Sequence, residues 1–591
     1  SICNFWSCRD ISRRMNYQPI IQHLTTCGYA VSAIEFCLLP AIKVKCEISG
    51  YEVSLIHIKV DELKEMPSFV LEKPEAFPRL AHTLSFDKWE VASICVNVPD
   101  SVSINYEVPE LAFEESLKRH ITLLNQCLSD QEWNEKELLR EFLAGWYQIR
   151  EQEYANFLCL SDAGNFELIN VFPPKKKNDK YGLDSYHFGV PKDYNQNSNY
   201  SLINNQIEGR GIPTGTGCIV PLQSLIPAPW RKSDLSDWYI KILDFIDPSI
   251  REKLTHTIGQ SRAHSFWIIF NAVTDSGNTW FGLHFVLKKN IKGKKNFPLN
   301  TKNLEFWDIR AMDIRLFNKE RIIPRSGADI SLQNKKVLLV GCGSVGSQIA
   351  NQLASTGIGH LTLVDPDSLS LDNLYRHSLP TSYVNWPKTF GLIIELQNKY
   401  PWLDTDQKFC GLLDLRDESL LNSFDLVIIA IGSPSQERIF HDFCIKNEIE
   451  TAVINTWVEG YGIGGHATLD IPDSLGCLRC AYVNSLDFSR GLASNLNFLK
   501  SDQSLTKNMA GCGSAFLPYS NLTAIQTALI ASGLASRFLL GEITQSSKVS
   551  WKGSPTDIIN NGFELTDRYQ AFTKPLEVLP LLNSGCDICN A

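Results

Sequence analysis

From residue 335 onward, short apolar runs alternate with stretches whose apolar positions recur three and four residues apart. The runs at 336–340, 360–365 and 425–431 read as strands, and 347–355 and 388–398 as helices. Strands alternating with helices predict a parallel, doubly wound sheet. Earlier in the chain the pattern differs. A helix is expected over 16–27, extended runs rich in β-branched and aromatic residues over 41–48, 51–60 and 68–72, and a second helix over 109–126. With turn signals such as Ser49-Gly50 between them, these segments predict a small antiparallel sheet with flanking helices, an α+β domain. Between about 154 and 302, aromatic strands at 265–272 and 279–287 alternate with Asn-, Pro- and Gly-rich loops at 191–217. The expected organisation is an α+β domain over 1–145, a middle α+β domain over 146–305, and a Rossmann-like doubly wound domain over 306–591.

Composition narrows the class. A chain of 591 residues exceeds one hydrophobic core, so two to four domains are expected. Apolar residues at 44%, charged residues at 20% and a net charge of −9 lie in the ordinary globular range, and nothing calls for nucleic acid. The lysine clusters at 175–177 and 288–295 sit among turn formers, as solvated loops do. The run 522–540 is interrupted by Gln526, several Ser and Thr, and Arg537, so no membrane span is expected. Arg9, Arg13 and Arg14 precede no apolar region with a small-residue cleavage site, which argues against a secretory signal and for the cytoplasm. Seventeen cysteines, most isolated in apolar surroundings, suit a reducing compartment better than a disulfide framework.

Candidate chemistry begins at Gly341-Cys342-Gly343-Ser344-Val345-Gly346, which comes directly after a strand and opens a helix. Gly341, Gly343 and Gly346 permit a tight turn and close backbone approach, and the helix N-terminus offers free N–H groups to a phosphate. Asp365 ends the next strand, where an acidic side chain can grip a ribose hydroxyl. A nucleotide is therefore expected, although dehydrogenases share these features. The residues after that strand discriminate: Asp365-Pro-Asp367, then Asn373-Leu-Tyr-Arg376-His377, then Lys388. This arrangement resembles the ubiquitin-activating, ThiF/MoeB-like superfamily, which implies ATP binding and transfer of AMP to the C-terminal glycine carboxylate of a small protein. The resemblance gives Asn373, Arg376 and Lys388 contacts to the ATP phosphates and ribose. Two fixed cations facing a triphosphate stabilise charge on the α-phosphate and departing pyrophosphate.

Gly432, in Ala430-Ile431-Gly432-Ser433, stands where the superfamily supplies an aspartate for Mg2+, which leaves the magnesium ligand unassigned. The resemblance also implies an arginine supplied in trans, for which Arg310, Arg315, Arg321 and Arg325 are candidates. Cys477-Leu-Arg-Cys480 and Cys586-Asp-Ile-Cys589 form two CxxC pairs, suited to one structural Zn2+ because each turn supplies two thiolates to a tetrahedral ion. A redox CxxC would need a thioredoxin-like setting, which is absent. Cys512, in Gly511-Cys512-Gly513, lies shortly before a helix-like run beginning near Asn521, where a thiol ionises more readily. The resemblance makes it the nucleophile that attacks the acyl adenylate, with 481–510 as a mobile crossover segment. A buried inert cysteine is the competing reading.

The first domain resembles a ubiquitin-conjugating fold: His82, then Cys95 in Ser93-Ile-Cys95-Val-Asn97, then the 109–126 helix. The resemblance implies that Cys95 carries a second thioester. His82 is followed by Thr83 and Leu84 rather than Pro-Asn, so the usual oxyanion donor is missing and Asn97 is not given that role. Cys3, Cys8, Cys27, Cys37 and Cys46 have no comparable motif and read as structural. Chains joining a conjugating-like domain, a middle domain and an activating domain resemble the bacterial fused ubiquitin-transferase proteins of CBASS antiphage systems. That resemblance implies a homodimer acting on the C-terminal glycine of a cGAS-like nucleotidyltransferase, with conjugation to amines of target proteins. The alternatives are a sulfur-carrier-protein adenylyltransferase with a non-catalytic N-terminal domain, and a non-catalytic interaction protein.

Overall fold

A computed structural model describes residues 16–589 except 59–62, 64, 97–103, 105, 151–155, 162–163, 176–181, 195–200, 259–262, 276, 290, 292–295, 485, 488 and 509–514. The chain divides into two compact units, 1–194 with 210–316, and 195–209 with 317–591.

The first unit opens with helix Gln18–Thr26 and strands β1 (Ala30–Phe36), β2 (Leu39–Ile48), β3 (Tyr51–Ile58), β4 (Val70–Glu72), β5 (Thr83–Phe86) and β6 (Val91–Ile94). They form an antiparallel sheet in the order β1-β2-β3-β4-β6-β5. Ser49 and Gly50 both take positive φ (52° and 81°), the twist a two-residue hairpin needs, and set Ile48 opposite Tyr51. Ile42, Val44, Leu55 and Leu71 bury one face against Ile20 and Leu24 of the first helix and Phe113, Leu117 and Leu124 of helix Pro109–Ser129. That helix runs three residues past the expected end, to Ser129; the next residue, Asp130, accepts the Trp133 N–H with its carboxylate and starts helix Gln131–Arg140.

The middle segment, expected as α+β, contains a closed seven-stranded barrel. Its strands are β7 (Asn156–Cys159), β8 (Glu167–Phe172), β9 (His187–Pro191), β10 (Gly215–Leu222), β11 (Ser265–Thr274), β12 (Gly277–Leu287) and β13 (Trp307–Leu316), in the order β10-β11-β12-β13-β7-β9-β8, with β8 pairing β10 to close it. Strand alternation sends Trp267 and Ile269 to one side with Phe157, Ile169 and Met312, and Phe266, Ile268 and Phe270 to the other. The outward set packs with Phe142 and Trp146 of helix Phe142–Ile149 and Trp238 of helix Leu235–Ile242. Strand β13 lies past residue 305, where the sequence pattern placed the boundary; its ladders to β12 and β7 make it part of the barrel.

The second unit is the predicted doubly wound sheet. Strands β14 (Lys336–Val340), β15 (His360–Val364), β16 (Asp404–Lys408), β17 (Leu426–Ile429), β18 (Ala452–Val458) and β19 (Gly464–Asp470) are followed by the short pair β20 (Lys507–Asn508) and β21 (Ala515–Phe516), then β22 (Ser547–Lys552) and β23 (Leu579–Pro580). The main sheet runs β16-β15-β14-β17-β18-β19-β22-β23, parallel through β18 and antiparallel after it. Helix Asn521–Leu539 is long and apolar enough to cross a membrane by length and composition. Here its Ala524, Ala528, Ala531 and Ala535 are buried with Ile349, Ala350 and Leu353 of helix Ser344–Ser355 and with Ile454 and Ala467 of the sheet.

The stretch 481–510, expected as a mobile crossover, is anchored over much of its length. Leu496, Phe498 and Leu499 are buried, and the Phe498 and Leu499 N–H groups donate to the two carboxylate oxygens of Glu459 at 2.7 and 2.8 Å. Glu459 Oε1 also lies 2.7 Å from His466 Nε2. Buried backbone donors need partners, and one carboxylate supplies both.

Three histidines of the first unit are buried as neutral rings. His57 donates through Nδ1 to the Ser68 carbonyl, and His120 donates through Nδ1 to Ser116 while its Nε2 accepts the Phe69 N–H. His284 stacks on Trp267 at 4.2 Å. Burial pushes His57 and His120 down to about 4 and His284 to about 3. The unfolded chain binds these protons from about pH 6.5 downward, whereas the folded one does not. Stability is therefore complete above that pH and falls by roughly 1.4 kcal/mol per pH unit per histidine below it, until the folded pKa is reached. Urea unfolding of the first unit between pH 7.5 and about 4 should show this steepening loss; a flat midpoint would contradict the neutral burial.

Candidate active site

Strand β14 ends in the glycine turn, and sterics fix its composition. Gly341 has φ +89°, and a Cβ there would lie 2.7 Å from the Ala430 carbonyl oxygen at the end of β17. At Gly346 a Cβ would fall 1.7 Å from the Gly341 carbonyl oxygen, so helix Ser344–Ser355 can seat on the turn only with hydrogen at that position. Nothing lies within 4 Å of the equivalent point at Gly343, which borders open space. That space is a cavity of about 480 Å³ at the carboxyl ends of the strands, lined by Gly341, Gly343, Asp365, Asp367, Lys388 and Tyr519 among others. Its place between β14 and β17, from which the chain departs in opposite directions, is where open α/β sheets bind ligands.

Asp365 is buried, and both its oxygens accept backbone N–H groups, from Cys342 at 2.7 Å and Asp367 at 2.8 Å. Lys388, also buried, holds its Nζ 3.0 Å from Asp367 Oδ2 and 3.7 Å from Asp365 Oδ1. The Asp367 carboxylate is mostly exposed and retains free oxygen lone pairs. Among the lining residues of this cavity Asp365 and Asp367 are the carboxylates; Gly432 borders it with φ +64° and no atom within 4 Å of a would-be Cβ. Hard-oxygen coordination of Mg2+ thus has one side chain suited to it, Asp367.

Asn373 and Arg376 adjoin the cavity rather than line it. The Asn373 amide donates to Ser370 Oγ at 2.9 Å. The Arg376 guanidinium lies over the Tyr519 ring at 4.8 Å and donates to the Leu517 carbonyl at 3.3 Å. Leu517 and Tyr519 themselves border the cavity, and the Tyr519 hydroxyl is 2.6 Å from Ser344 Oγ at the start of the helix. Sequence reasoning gave no role to Tyr519, which lies 175 positions from its partner, nor to His377. His377 Nε2 donates to the Cys342 carbonyl at 2.7 Å while Nδ1 accepts the Leu379 N–H; burial lowers its pKa and keeps it neutral, a brace beneath the glycine turn. Its place in the Asn-Leu-Tyr-Arg-His run was the signal available.

The two CxxC pairs converge. Cys477, Cys480, Cys586 and Cys589 place their sulfurs within 4.8 Å of one another, with Cys477–Cys586 at 3.8 Å and Cys480–Cys589 at 3.7 Å. A tetrahedral zinc with Zn–S bonds of about 2.3 Å requires S···S edges of about 3.8 Å. Arg479, in the first knuckle, pairs with Asp587 of the second at 2.9 Å and with Asp442 of helix Pro434–Lys446 at 2.7 Å. Cys512 lies outside the described residues.

In the first unit Cys95 comes directly after β6 and is exposed; its N–H donates to the His82 carbonyl at 2.8 Å. His82 has φ +57°, and its ring is clamped by Glu141 at 2.5 Å and Glu137 at 3.2 Å. The hydrogen bond to Glu141, chiefly, raises its pKa despite burial. Cys27 and Cys37, expected as structural, are exposed rather than packed. Of the arginines considered for a trans role, Arg310 pairs with Asp308 at 2.9 Å and Arg315 with Asp313 at 3.5 Å, while Arg321 and Arg325 are exposed on helix Lys319–Arg325.

A glycine turn at the switch point, a buried aspartate and lysine beside it, and a four-cysteine cluster define a nucleotide-handling α/β domain. The ThiF family matches over residues 319–550. The ATP-dependent ubiquitin transferase-like protein Cap2 of Escherichia coli is 24% identical over 520 residues, 80% of this chain and 84% of that one. Cap2 of Pseudomonas aeruginosa is 25% identical over 44% of each chain. The adenylyltransferase and sulfurtransferase UBA4 of Yarrowia lipolytica is 26% identical over 22% of this chain and 34% of its own length, so that relative is matched over about a third of its extent. Residues 319–550 thus carry the ThiF-family match, and the chain as a whole is similar to Cap2 of Escherichia coli.

Gly346→Ala should destabilise the second unit by about 2 kcal/mol or more, because the obstacle is backbone. Ser344→Ala, which leaves the turn's geometry intact, should cost about 1 kcal/mol. Urea midpoints of the two variants check this; equal midpoints would contradict the close approach.

Proposed function

We propose that this chain is an enzyme that activates the C-terminal carboxylate of a protein with ATP and passes the acyl group along two thiols to an amine. The observation that carries the first step is the buried Lys388 beside Asp365 and Asp367 at the mouth of the glycine turn. The substrate carboxylate attacks the α-phosphorus of ATP and pyrophosphate leaves. Lys388, the turn N–H groups and Arg376 offset the charge that builds on the phosphates. Gly341, Gly343 and Gly346 shape the turn, Asp365 holds it in place, and Asn373 takes the ribose or phosphate contact the resemblance assigns. Mg2+, held through Asp367, would neutralise phosphate charge.

A groove of about 250 Å³ shares Gly432, Trp457, Val458 and Leu517 with the nucleotide cavity and continues past Gly460, Ala493 and Ser494. Gly432, Gly460, Ala493 and Ser494 leave room between its bulkier walls at Trp457, Tyr482 and Leu499, and we assign the groove to a narrow glycine-ended tail. The Cys512 thiolate then attacks the acyl carbon and AMP departs. The Cys95 thiolate displaces Cys512 in turn, and a target amine attacks the Cys95 thioester, forming an amide and returning the thiol. His82, held by its two glutamates, positions the loop that carries Cys95. The three-domain organisation, with a conjugating-like domain over 1–145 and the activating domain after the barrel, belongs to this reading, as do a homodimer and an antiphage role on a cGAS-like nucleotidyltransferase. The extent of the likeness to Escherichia coli Cap2, more of the chain than the part after residue 335 can supply, supports the relay over a sulfur-carrier activator that would not need Cys95.

With a glycine-ended protein substrate, the wild-type chain should exchange pyrophosphate into ATP, and Lys388→Ala should lower that exchange by about 100-fold. Cys95→Ala should accumulate a thiol-sensitive adduct on Cys512, and Cys512→Ala should form neither thioester nor amide. Normal amide formation by Cys512→Ala would end the relay scheme. Zinc at the four cysteines would hold the knuckles as a structural ion: elemental analysis should find about one zinc per chain, lost in Cys586→Ser/Cys589→Ser. A metal-free wild-type chain of full stability would overturn the assignment.

A further inference from the structure

Helices Gln18–Thr26 and Pro109–Ser129 pack together on one face of the N-terminal sheet, and three side chains of unlike chemistry meet between them. His23 and Cys27 stand four positions apart, so the helical repeat sets them on the same side. Cys27 closes the last turn by donating its N–H to the His23 carbonyl at 3.0 Å. Glu114 reaches both from the second helix.

The His23 imidazole stands at the centre of the group. Its Nε2 lies 2.7 Å from Glu114 Oε2 and 3.7 Å from the Cys27 sulfur, and the three donor atoms all lie within 4.8 Å of one another. A tetrahedral zinc with bonds of about 2.1 Å to nitrogen and oxygen and about 2.3 Å to sulfur has an N···S edge of about 3.6 Å and an N···O edge of about 3.4 Å. The first edge is present. The second requires the Glu114 carboxylate to open by about 0.7 Å from its hydrogen bond to His23.

The surroundings suit such an ion. Lys118, one turn along the second helix, donates to the other carboxylate oxygen, Glu114 Oε1, at 2.5 Å, which leaves Oε2 turned toward the imidazole. Carboxylates that ligate metals are held by outer hydrogen bonds of this kind. Cys27 is exposed, and His23 and Glu114 are half-buried, so an ion can reach the three atoms from solvent and keep a water as its fourth ligand. The donor set then selects the ion. Thiolate and imidazole favour a borderline transition metal, and nitrogen, sulfur and oxygen together fit Zn2+ while serving Mg2+ and Ca2+ poorly.

We propose that His23, Cys27 and Glu114 form a zinc site that clips the first helix to the second, distinct from the four cysteines of the second unit. Binding releases the Cys27 thiol proton to solvent and places the imidazole proton on Nδ1, so that Nε2 offers its lone pair. The hydrogen bond between His23 and Glu114 gives way to an ion that both share with the thiolate.

Alkylation of the full-length protein by iodoacetamide, followed at the Cys27 peptide by mass spectrometry, reads this site alone, whatever the four-cysteine cluster holds. Zn2+ should slow modification of Cys27 at least about tenfold, with half the effect below about 10 μM free metal. Mg2+ at about 1 mM should not. His23→Ala and Glu114→Gln are each compared with and without Zn2+, so that any change in the intrinsic reactivity of the thiol cancels. Each should raise the zinc needed for half-protection at least about tenfold, as loss of a ligand does. Equal rates at Cys27 with and without Zn2+, equal protection by Mg2+, or undiminished protection in either variant would overturn the proposal.

Discussion

Two backbone segments cross at the switch point of the parallel sheet with no room for a side chain between them, and the pocket depends on that crossing. The carbonyl of Ala430 closes on Gly341 from one side and Gly346 presses on the Gly341 carbonyl from the other. The turn therefore projects the start of helix Ser344–Ser355, with its unpaired N–H groups, toward the cavity. Asp365 and His377 then fix Cys342 by its N–H and its carbonyl. Every charged group of the pocket is placed relative to this one turn.

Buried carboxylates that accept backbone N–H groups recur through the second unit. An ionised carboxylate is costly in the interior unless it is fully hydrogen-bonded, and backbone donors in irregular segments have the matching need. Asp365 binds the glycine turn, Glu437 the loop after β17, and Glu459 the buried stretch around Phe498. The Glu459 anchor ties the segment between the two CxxC pairs to the sheet. Farther along, Leu517 and Tyr519 bring the chain beyond Cys512 back to the nucleotide cavity. The described residues before 509 and after 514 are thus both anchored to the second unit.

The second thiol is supported by different means. Cys95 sits on a loop whose neighbour His82 adopts a left-handed backbone, uncommon outside glycine, asparagine and aspartate. An ion-pair clamp from Glu137 and Glu141 holds that residue, and its backbone carbonyl in turn takes the Cys95 N–H. Charge and hydrogen bonding from Glu137 and Glu141 thus hold the turn at His82, where the chain has Thr83 and Leu84 after the histidine.

Much of the second unit was legible in the sequence. The glycine spacing, the strand and helix periods around it, and the CxxC pairs are local patterns, and local patterns report backbone sterics and metal-ligand spacing directly. In the N-terminal sheet the central strands β2, β3 and β4 and the two flanking helices were legible for the same reason, whereas β1, β5 and β6 were not. Closure of the barrel was not, because it rests on the pairing of β8 with β10 and of β13 with β7, registers between strands far apart in the chain. Nor were Tyr519 and Glu459, whose partners are chosen by packing rather than by spacing. The sequence determined which segments could turn, pair and ligate. Only the tertiary structure decided which met, because a hydrogen bond or a strand register between residues tens to more than a hundred positions apart leaves no periodic trace.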